Sequence, residues 1–360
     1  MLGTANRKPG SPIIMRHFDL NPLRLRRFAF LPSAACAGIL ALFLLFSSPL
    51  WAQSCDTSSD LEEAVRTAIT ATGQRYFDMA SRGDTGSLRQ NAVPSLASDF
   101  SGIENAVKER QKDLTGAKAM QKSVFQLGVE GTGPLAHGEF YCGVFGKNGQ
   151  TSTSAVFYLD GLSPGKYAVD ILETTAQTKL SFSLILVQTG SNWKLGGLYI
   201  RPKTTAGHDA DWFTTHAREY KAKGQLHNAW FYFAEARNLI SPLSFMSTAT
   251  TDKLFDESKG AQPADVPGDG KTTDLAAGAT TYKLTAIFPQ TVGDDLDLVV
   301  KYQAADVSNT TQAYQSNVAV IGALIAKYPE LKEAFAGVVA RAVDPSGRDY
   351  GTLLAMKEIK

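Results

Sequence analysis

Apolar residues beyond position 52 follow first a helical and then an extended spacing. Over residues 57–116 they recur at three- and four-residue steps, which predicts two helices that each bury one face. The first is predicted to begin at a capping box, Ser59–Glu62, and to end at Gly83. The second is predicted to end at Gly116.

From residue 124 the spacing changes to two, which predicts strands. Gly-rich turns separate the apolar runs, so the strands are expected to form an antiparallel meander. Helices followed by a bent antiparallel sheet bury their apolar faces together, and residues 57–203 therefore predict an α+β domain. The predicted strands are 124–130, 138–145, 153–159, 167–174, 180–188 and 193–201.

Short motifs at both ends of this domain resemble the nuclear-transport-factor-like (cystatin-like) α+β family. They are Tyr76-Phe77 with Arg82-Gly83-Asp84, Leu184-Ile185-Leu186-Val187, and Asn192-Trp193-Lys194-Leu195. The resemblance implies a cone-like fold, in which helices pack on a bent sheet and the concave face of the sheet lines a pocket. The sequence shows no clear helix between the early strands, where family members often have one, so a plain helix-backed sheet is the alternative.

Residues 208–256 are predicted to form a helical hairpin, and residues 210–243 resemble a single tetratricopeptide repeat. Small and large residues fall at the intervals of that repeat: Phe213, Ala217, Tyr220, Gly224, Ala229, Phe233 and Ala236, with Pro242 one place late. A single helical hairpin cannot bury both of its apolar faces. We therefore expect the hairpin to pack on a flanking domain, the alternative being a groove that holds a partner peptide.

The C-terminal part of the chain divides into a linker and a small domain. Residues 258–278 are rich in Gly, Pro and Asp without periodicity, which predicts a linker that lets the next domain move. Residues 280–360 alternate as two strands, one helix and two strands, which predicts a ββαββ domain with a small antiparallel sheet.

The N-terminal residues 1–52 have the order of a secretory signal peptide. Basic residues at 24–27 precede an apolar stretch and a turn that ends at Ala52, which predicts cleavage before Gln53. The alternatives are an uncleaved membrane anchor and lipidation of Cys55, and Met15 is an alternative start. The interpretation is an exported protein, periplasmic or extracellular, with a membrane-anchored form as the alternative.

Charge excludes two classes of partner. The chain carries 36 basic and 35 acidic residues, and loss of the leader leaves a slightly acidic protein without blocks of like charge. Nucleic acid is therefore not an expected partner, and membrane contact is expected only through an uncleaved leader or a lipidated Cys55. The expected partner is a small apolar ligand or an envelope protein.

Export also bears on the cysteines. Cys36 belongs to the leader, which leaves Cys55 and Cys142 in the mature chain. An even number of cysteines in an oxidising compartment predicts a disulfide between them. The alternative is a buried Cys142 and a mobile Cys55.

Three motifs imitate catalytic or metal sites. Ser163 lies in a G-x-S-x-G pattern, but Pro164 and Gly165 favour a turn over a nucleophile elbow. Asp209 and Asp211 follow His208, where a helix cap is the simpler interpretation. Asp294, Asp295 and Asp297 fit a solvated hairpin turn better than a calcium loop. No catalytic residue, metal or cofactor is assigned from these patterns.

A pocket in the first domain would be lined by residues on its strands. The candidates chosen by strand position are Tyr141, Tyr158, Tyr167, Asp170, Trp193 and Tyr199. Aromatic lining suits a small apolar ligand. The sequence therefore predicts a non-catalytic binding or scaffolding protein of the bacterial cell envelope. The alternatives are an isomerase- or hydratase-type enzyme, marked by a buried titratable group in the cone, and a lipoprotein adaptor.

Overall fold

The computed structural model describes residues 53–147, 149–175, 178–268 and 270–359. The predicted leader and its cleavage site after Ala52 lie outside these residues. Helices combined with largely antiparallel sheets confirm the α+β class. None of the helices in the described ranges is long and apolar enough to cross a membrane.

The first part of the chain contributes four helices, α1 Glu63–Ser81, α2 Thr85–Gln90, α3 Pro94–Ser98 and α4 Ser101–Leu114. The predicted capping box is wrong, because the N-cap residue of α1 is Glu62, which makes no side-chain cap hydrogen bond. Asp60 instead accepts hydrogen bonds from the backbone N–H and the hydroxyl of Thr57, which forms a turn before the helix.

The strands of the same part are, in chain order, β1 Gln53–Thr57, β2 Ala119–Val129, β3 Leu135–Cys142, β4 Phe145–Gly146, β5 Gly149–Gln150, β6 Ala155–Leu162, β7 Gly165–Thr174, β8 Leu180–Thr189 and β9 Asn192–Pro202. The main sheet has the order β1-β2-β7-β8-β9, with antiparallel pairs throughout. Its register shifts in β2 between Gln121 and Ser123, and again at Ile185/Leu186, irregularities that bend a sheet.

The predicted meander is wrong, because β3 and β6 leave the main sheet and pair with each other. The main sheet is apolar on both faces. One face packs on the helices through residues such as Leu184 and Leu186, and the other packs on β3 and β6 through residues such as Val169 and Ile185. Strand spacing of two does not reveal this second layer, because each strand alternates between two buried faces.

The predicted helical hairpin consists of two antiparallel helices between short strands. In chain order the elements are β10 Thr204–Thr205, β11 His208–Asp209, α5 Ala210–Ala222, α6 Leu226–Ile240, β12 Met246–Thr248 and α7 Ala249–Lys259. Strand β12 pairs with β6, so the segment after the hairpin completes a three-stranded sheet of the first part.

The last part has one strand more than predicted. Its elements are β13 Thr273–Ala277, β14 Thr280–Val292, β15 Asp295–Gln303, α8 Thr310–Lys327, β16 Gly337–Val343 and β17 Asp349–Ala355, with 3-10 helices at Pro329–Glu333 and Met356–Glu358. The sheet order is β13-β14-β15-β16-β17. The prediction of an antiparallel sheet is wrong for one pair: β15 and β16 run parallel, since α8 carries the chain across between them.

The hairpin packs on this last part. Side chains of α5 and α6 share one hydrophobic cluster with the last sheet and α8. Tyr232 donates a hydrogen bond to the carbonyl of Ala334 at 2.7 Å, and Tyr220 donates to that of Glu333 at 3.1 Å. These contacts cover the apolar faces that a single hairpin leaves open.

The segment expected to be a linker is held at several points. Ala261 is buried, and the carboxyl of Asp265 contacts three groups, one of which is Nζ of Lys327 at 3.7 Å. Its Oδ1 lies 3.0 Å from Nε2 of His227, and its Oδ2 accepts a hydrogen bond from the hydroxyl of Tyr328 at 2.6 Å. The segment therefore bridges α6 and the end of α8, and its last residues form β13.

Candidate functional site

The six pocket candidates lie on three different surfaces. Asp170 and Trp193 face the helices of the first part. Tyr167 and Tyr199 are on the opposite face of the main sheet, where Tyr167 is buried and Tyr199 packs edge-on against Phe245. The other two, Tyr141 and Tyr158, belong to the second sheet. The six side chains therefore do not form one site.

Tyr141 lies at the surface of the molecule. Its side chain is 58% exposed, and its hydroxyl donates a hydrogen bond to the carboxylate of Glu139 at 2.7 Å. That bond, together with desolvation, raises the pKa of Tyr141 to about 12. A protonated surface tyrosine held by a carboxylate can take part in contacts with other molecules.

Asp170 is the candidate with unusual chemistry. It is completely buried on β7, and its Oδ1 accepts a hydrogen bond from Nε2 of Gln121 at 2.6 Å. Its Oδ2 has no hydrogen-bond partner among the described residues. Desolvation raises the pKa of Asp170 to about 7, although the bond from Gln121 works in the opposite direction. The carboxyl can therefore hold a proton near neutral pH.

The interior around Asp170 is filled by protein side chains. Gly73 of α1 lies against the carboxyl, and the rings of Phe77 and Phe182 meet edge to face at 5.2 Å. Tyr76 is also fully buried and donates a hydrogen bond to the backbone carbonyl of Trp193 at 3.1 Å. Asp170 is therefore an acid of the protein core, and a substrate could reach it only by displacing this packing.

Two motifs that imitate sites are resolved as structural features. Ser163 lies with Pro164 in the two-residue turn between β6 and β7, and a strand follows it, which confirms the turn interpretation. Asp209 accepts a hydrogen bond from the backbone N–H of Trp212 at 2.9 Å, which confirms that it caps α5. Neither motif brings a nucleophile next to a base.

A concave surface lies in the last part of the protein, between β13 and α8. It is a groove of about 830 Å³. Five successive residues, 274–278, line one wall, and four small residues of α8 with one lysine line the other: Ala319, Gly322, Ala323, Ala326 and Lys327. Side chains of successive strand residues point to opposite faces of the sheet. A groove that contacts all five successive residues therefore follows the edge of the strand.

That edge is free for pairing. Strand β13 is terminal in its sheet, and across the described part of the chain its outer side has no strand neighbour. In an antiparallel pair every second residue directs its N–H and C=O away from its partner. Ala277 pairs with Thr280 across a two-residue turn, so Ala277 and Leu275 direct their backbone groups toward β14. The N–H and C=O groups of Asp274 and Ala276 therefore point away from β14.

The helix wall of the groove is low and open. Ala319, Gly322, Ala323 and Ala326 recur at helical spacing on one flank of α8. A Cβ built on Gly322 meets no atom within 4 Å, so the groove beside it has room for a side chain from elsewhere. Small residues on the helix and a free strand edge opposite are the two walls that an extended peptide needs.

The groove is not predicted by the sequence patterns above, although the sequence contains two signals of it. Residues 273–277 alternate before a two-residue turn at Gly278-Ala279, but they lie in a segment whose Gly, Pro and Asp content favoured a linker. The small residues of α8 form a second flank of the helix, whereas the prediction of this helix rests only on the flank that carries its large apolar residues. Neither signal predicts a groove by itself, because the groove forms only where α8 and β13 lie side by side.

The predicted disulfide is confirmed. Cys55 on β1 and Cys142 on β3 are joined, with their Cα atoms 4.9 Å apart and 87 positions apart in sequence. The bond ties the edge of the main sheet to the second sheet. A sulfur in this bond is not free to carry a lipid thioether, so lipidation of Cys55 and this disulfide exclude each other.

Comparison with protein-family models, curated proteins and solved structures finds no match to the chain.

Proposed function

We propose that this is an exported, non-catalytic binding protein of the cell envelope that captures an extended segment of another protein in the groove between β13 and α8. The single observation that carries the proposal is the free edge of β13 along a groove of about 830 Å³. Strand addition at such an edge supplies main-chain hydrogen bonds whatever the peptide sequence.

The groove also defines what the peptide must look like. Strand β13 has five residues, which at about 3.3 Å per residue matches a peptide segment of five or six residues. Every second side chain of an added strand would face Ala319, Gly322 and Ala323. Those positions should carry apolar side chains, whereas the alternate positions should tolerate most residues.

Export is the second part of the proposal. The Cys55–Cys142 bond supports it, because disulfides persist in oxidising compartments. The basic, apolar and small-residue order before Gln53 also supports it. The intact mass of the protein recovered from the periplasm or medium should correspond to a chain that begins at Gln53. A full-length, membrane-embedded product would contradict cleavage.

The groove is tested with phage-displayed random dodecapeptides selected on the purified protein. A selected peptide, synthesised with a fluorescent label, should bind with an anisotropy change that Gly322→Phe reduces at least tenfold, because the phenyl ring fills the groove. Gly102→Phe on α4 is the matched control, since a Cβ at Gly102 also meets no atom within 4 Å. Hydrogen exchange of the β13 amides should slow when the peptide binds.

Two results would contradict the peptide groove. If selected peptides bind the Gly322→Phe variant as well as the parent, they bind elsewhere. If the protein is a dimer by light scattering, and Gly322→Phe makes it a monomer, the edge of β13 pairs with a second copy of the chain instead.

A second candidate function is an enzyme that acts at Asp170, and it would require the core packing around this carboxyl to open for a substrate. The buried carboxyl with a pKa near 7 and an unpartnered Oδ2 has the properties of a general acid or base. If the purified protein shows isomerase or hydratase activity, Asp170→Asn should abolish it, whereas Glu139→Gln at the surface should not. Activity that survives Asp170→Asn would exclude this site.

A further inference from the structure

A histidine between two carboxylates holds residues 260–268, the strap that leads toward β13. On α6, His227 places Nδ1 2.9 Å from Oε1 of Glu330 in the following 3-10 helix, and Nε2 3.0 Å from Oδ1 of Asp265 in the strap. Ionised carboxyl oxygens only accept hydrogen bonds. Each ring nitrogen must therefore carry a hydrogen for both bonds to form, and only the protonated imidazole has two.

The other groups around the imidazole keep Asp265 ionised. The ring of Tyr328 lies 4.1 Å from the imidazole, and its hydroxyl donates a hydrogen bond to Oδ2 of Asp265 at 2.6 Å. Nζ of Lys327 is 3.7 Å from the same oxygen. Burial opposes ionisation of Asp265, but the bonds from Tyr328 and the histidine, with the charge of Lys327, hold its pKa below the usual value. One turn away, Lys223 and Glu333 pair with each other at 3.6 Å, so their charges offset.

Loss of one proton from His227 would leave one carboxylate facing a lone pair of the ring. A neutral imidazole has a single N–H, so it can donate to Glu330 or to Asp265 but not to both. The side chain of Glu330 is 22% exposed, and its backbone carbonyl also accepts a hydrogen bond from Asn228 at 2.7 Å. The side chain of Asp265 is 41% exposed, so water can solvate it on release. The strap is therefore the side of the cluster that opens.

The strap is connected directly to the groove. Lys327, which contacts Asp265, also lines the groove. After the strap the chain turns, with the N–H of Lys271 donating to the carbonyl of Gly268, and then forms β13, the wall with the free edge. A wall that must first be ordered costs binding free energy, whereas a preorganised wall does not. An anchored strap therefore favours strand addition at β13.

We propose that His227 is a pH-dependent clasp: when protonated it holds the strap and keeps β13 ready for a peptide, and when it loses its proton it releases the strap and weakens peptide binding. The first half depends on the cluster alone, and the second rests on the function proposed for the groove. The closed strap binds one proton more than the open strap, so rising pH favours the open form. Histidine is the side chain that ordinarily changes charge between pH 5 and 8.

The clasp is tested by hydrogen exchange of the strap amides in the free protein at pH 5.5 and 8.5, with rates corrected for the intrinsic effect of pH. In the parent, protection of residues 262–268 should fall by about fivefold or more as the pH rises. Glu330→Gln should abolish this fall and keep the strap protected at both pH values. The amide that this substitution introduces can donate to Nδ1, while neutral His227 still donates to Asp265.

His137→Gln is the control for titration of a histidine elsewhere. Nδ1 of His137 also lies beside a carboxylate, that of Asp160 at 3.1 Å, but on the second sheet of the first part. This variant should show the same fall in strap protection as the parent. Melting curves confirm that each variant is folded.

The link to the groove is tested with a labelled peptide selected as described above, at the same two pH values. Its affinity for the parent should fall by about fivefold or more from pH 5.5 to 8.5, whereas its affinity for Glu330→Gln should stay constant, because that strap remains anchored.

Three results would overturn the proposal in whole or in part. Equal strap protection at both pH values in the parent, or an equal fall in Glu330→Gln, would exclude the clasp. A strap that loosens with pH while peptide affinity stays constant would exclude control of the groove. Absence of peptide binding at both pH values would contradict the proposed function, and with it the second half of the proposal, whereas hydrogen exchange still decides the first.

Discussion

Gly73 of α1 leaves the space that the carboxyl of Asp170 occupies. A Cβ atom built at position 73 would lie 1.7 Å from Oδ2 of Asp170 and 3.5 Å from a methyl carbon of Leu184. Helix and sheet therefore approach each other closely at this point, and the helix can do so only with glycine.

Gly73→Ala should therefore destabilise the protein by about 1–3 kcal/mol or more, because the added methyl group overpacks a buried site. Chemical denaturation measures this free energy of unfolding. Gly102→Ala on α4, where a Cβ meets nothing within 4 Å, is the matched helical control and should be neutral or stabilising by up to about 1 kcal/mol. Equal effects of the two substitutions would mean that α1 does not pack on Asp170 as described.

The raised pKa of Asp170 predicts a specific pH dependence of stability. The unfolded chain loses this proton near pH 3.8, whereas the folded chain holds it up to about pH 7. Between these values the folded state binds more protons, so its stability falls as the pH rises from about 4 to 7. At 1.36 kcal/mol per pKa unit the fall amounts to about 4 kcal/mol, an order-of-magnitude value.

Asp170→Asn should remove that fall while keeping an acceptor for the amide of Gln121. The measurement is the difference in unfolding free energy between the two proteins from pH 4 to pH 8. Asp99→Asn at the surface should leave the pH profile unchanged. A difference between parent and Asp170→Asn that does not vary with pH would show that Asp170 titrates alike in the folded and unfolded chains.

The disulfide should contribute strongly to stability. In the chain-entropy model a closed loop with a sequence separation of 87 is worth about 4–5 kcal/mol. Cys55→Ser should lower the free energy of unfolding by about this amount, and Cys55→Ser/Cys142→Ser should lower it further, because the second substitution also buries a hydroxyl group in an apolar cluster. Non-reducing peptide mapping should recover the linked peptides. Two free thiols in exported protein would contradict the bond.

The hairpin should behave as part of the core. Phe233 of α6 is fully buried, so Phe233→Ala should cost about 3–5 kcal/mol through the cavity it leaves. Leu226→Ala in the same helix is the control, because that side chain is 41% exposed and its loss should cost less than about 1 kcal/mol. An unshifted melting temperature for Phe233→Ala would point to an open hairpin that binds a partner peptide.

The spacing of apolar residues predicted which segments form strands better than it predicted which strands pair with each other. The apolar runs that form β8 and β9 are recognisable in the sequence because most of the buried positions of both strands are apolar. The strand order was missed because β2, β7 and β8 are buried on both faces, which hides the face that meets β3 and β6. Likewise, nothing in residues 295–303 and 337–343 distinguishes a parallel from an antiparallel pair.

The sites depend on contacts between distant residues, so the sequence predicted only single members of each. Asp170 was selected by its position in a strand, but its hydrogen-bond donor Gln121 is 49 residues away. Gly73, a glycine inside an amphipathic helix, was the available signal that another group approaches there. Asp265 lies in the segment predicted as a linker, and only the packing of the hairpin on the last part brings it next to His227 of α6.

The path of the chain after β9 prevents the molecule from being cut into independent halves. The hairpin α5–α6 completes the core of the last part, whereas Leu243 and β12, which follow it, return to the first part. A fragment that ends before the hairpin would lack β12, one strand of the second sheet. A fragment that begins after α7 would lack α5 and α6, which cover part of the core of the last sheet. Recombination could therefore exchange one part for that of another protein only if the segment from α5 to β12 packed correctly on both the retained part and the new part.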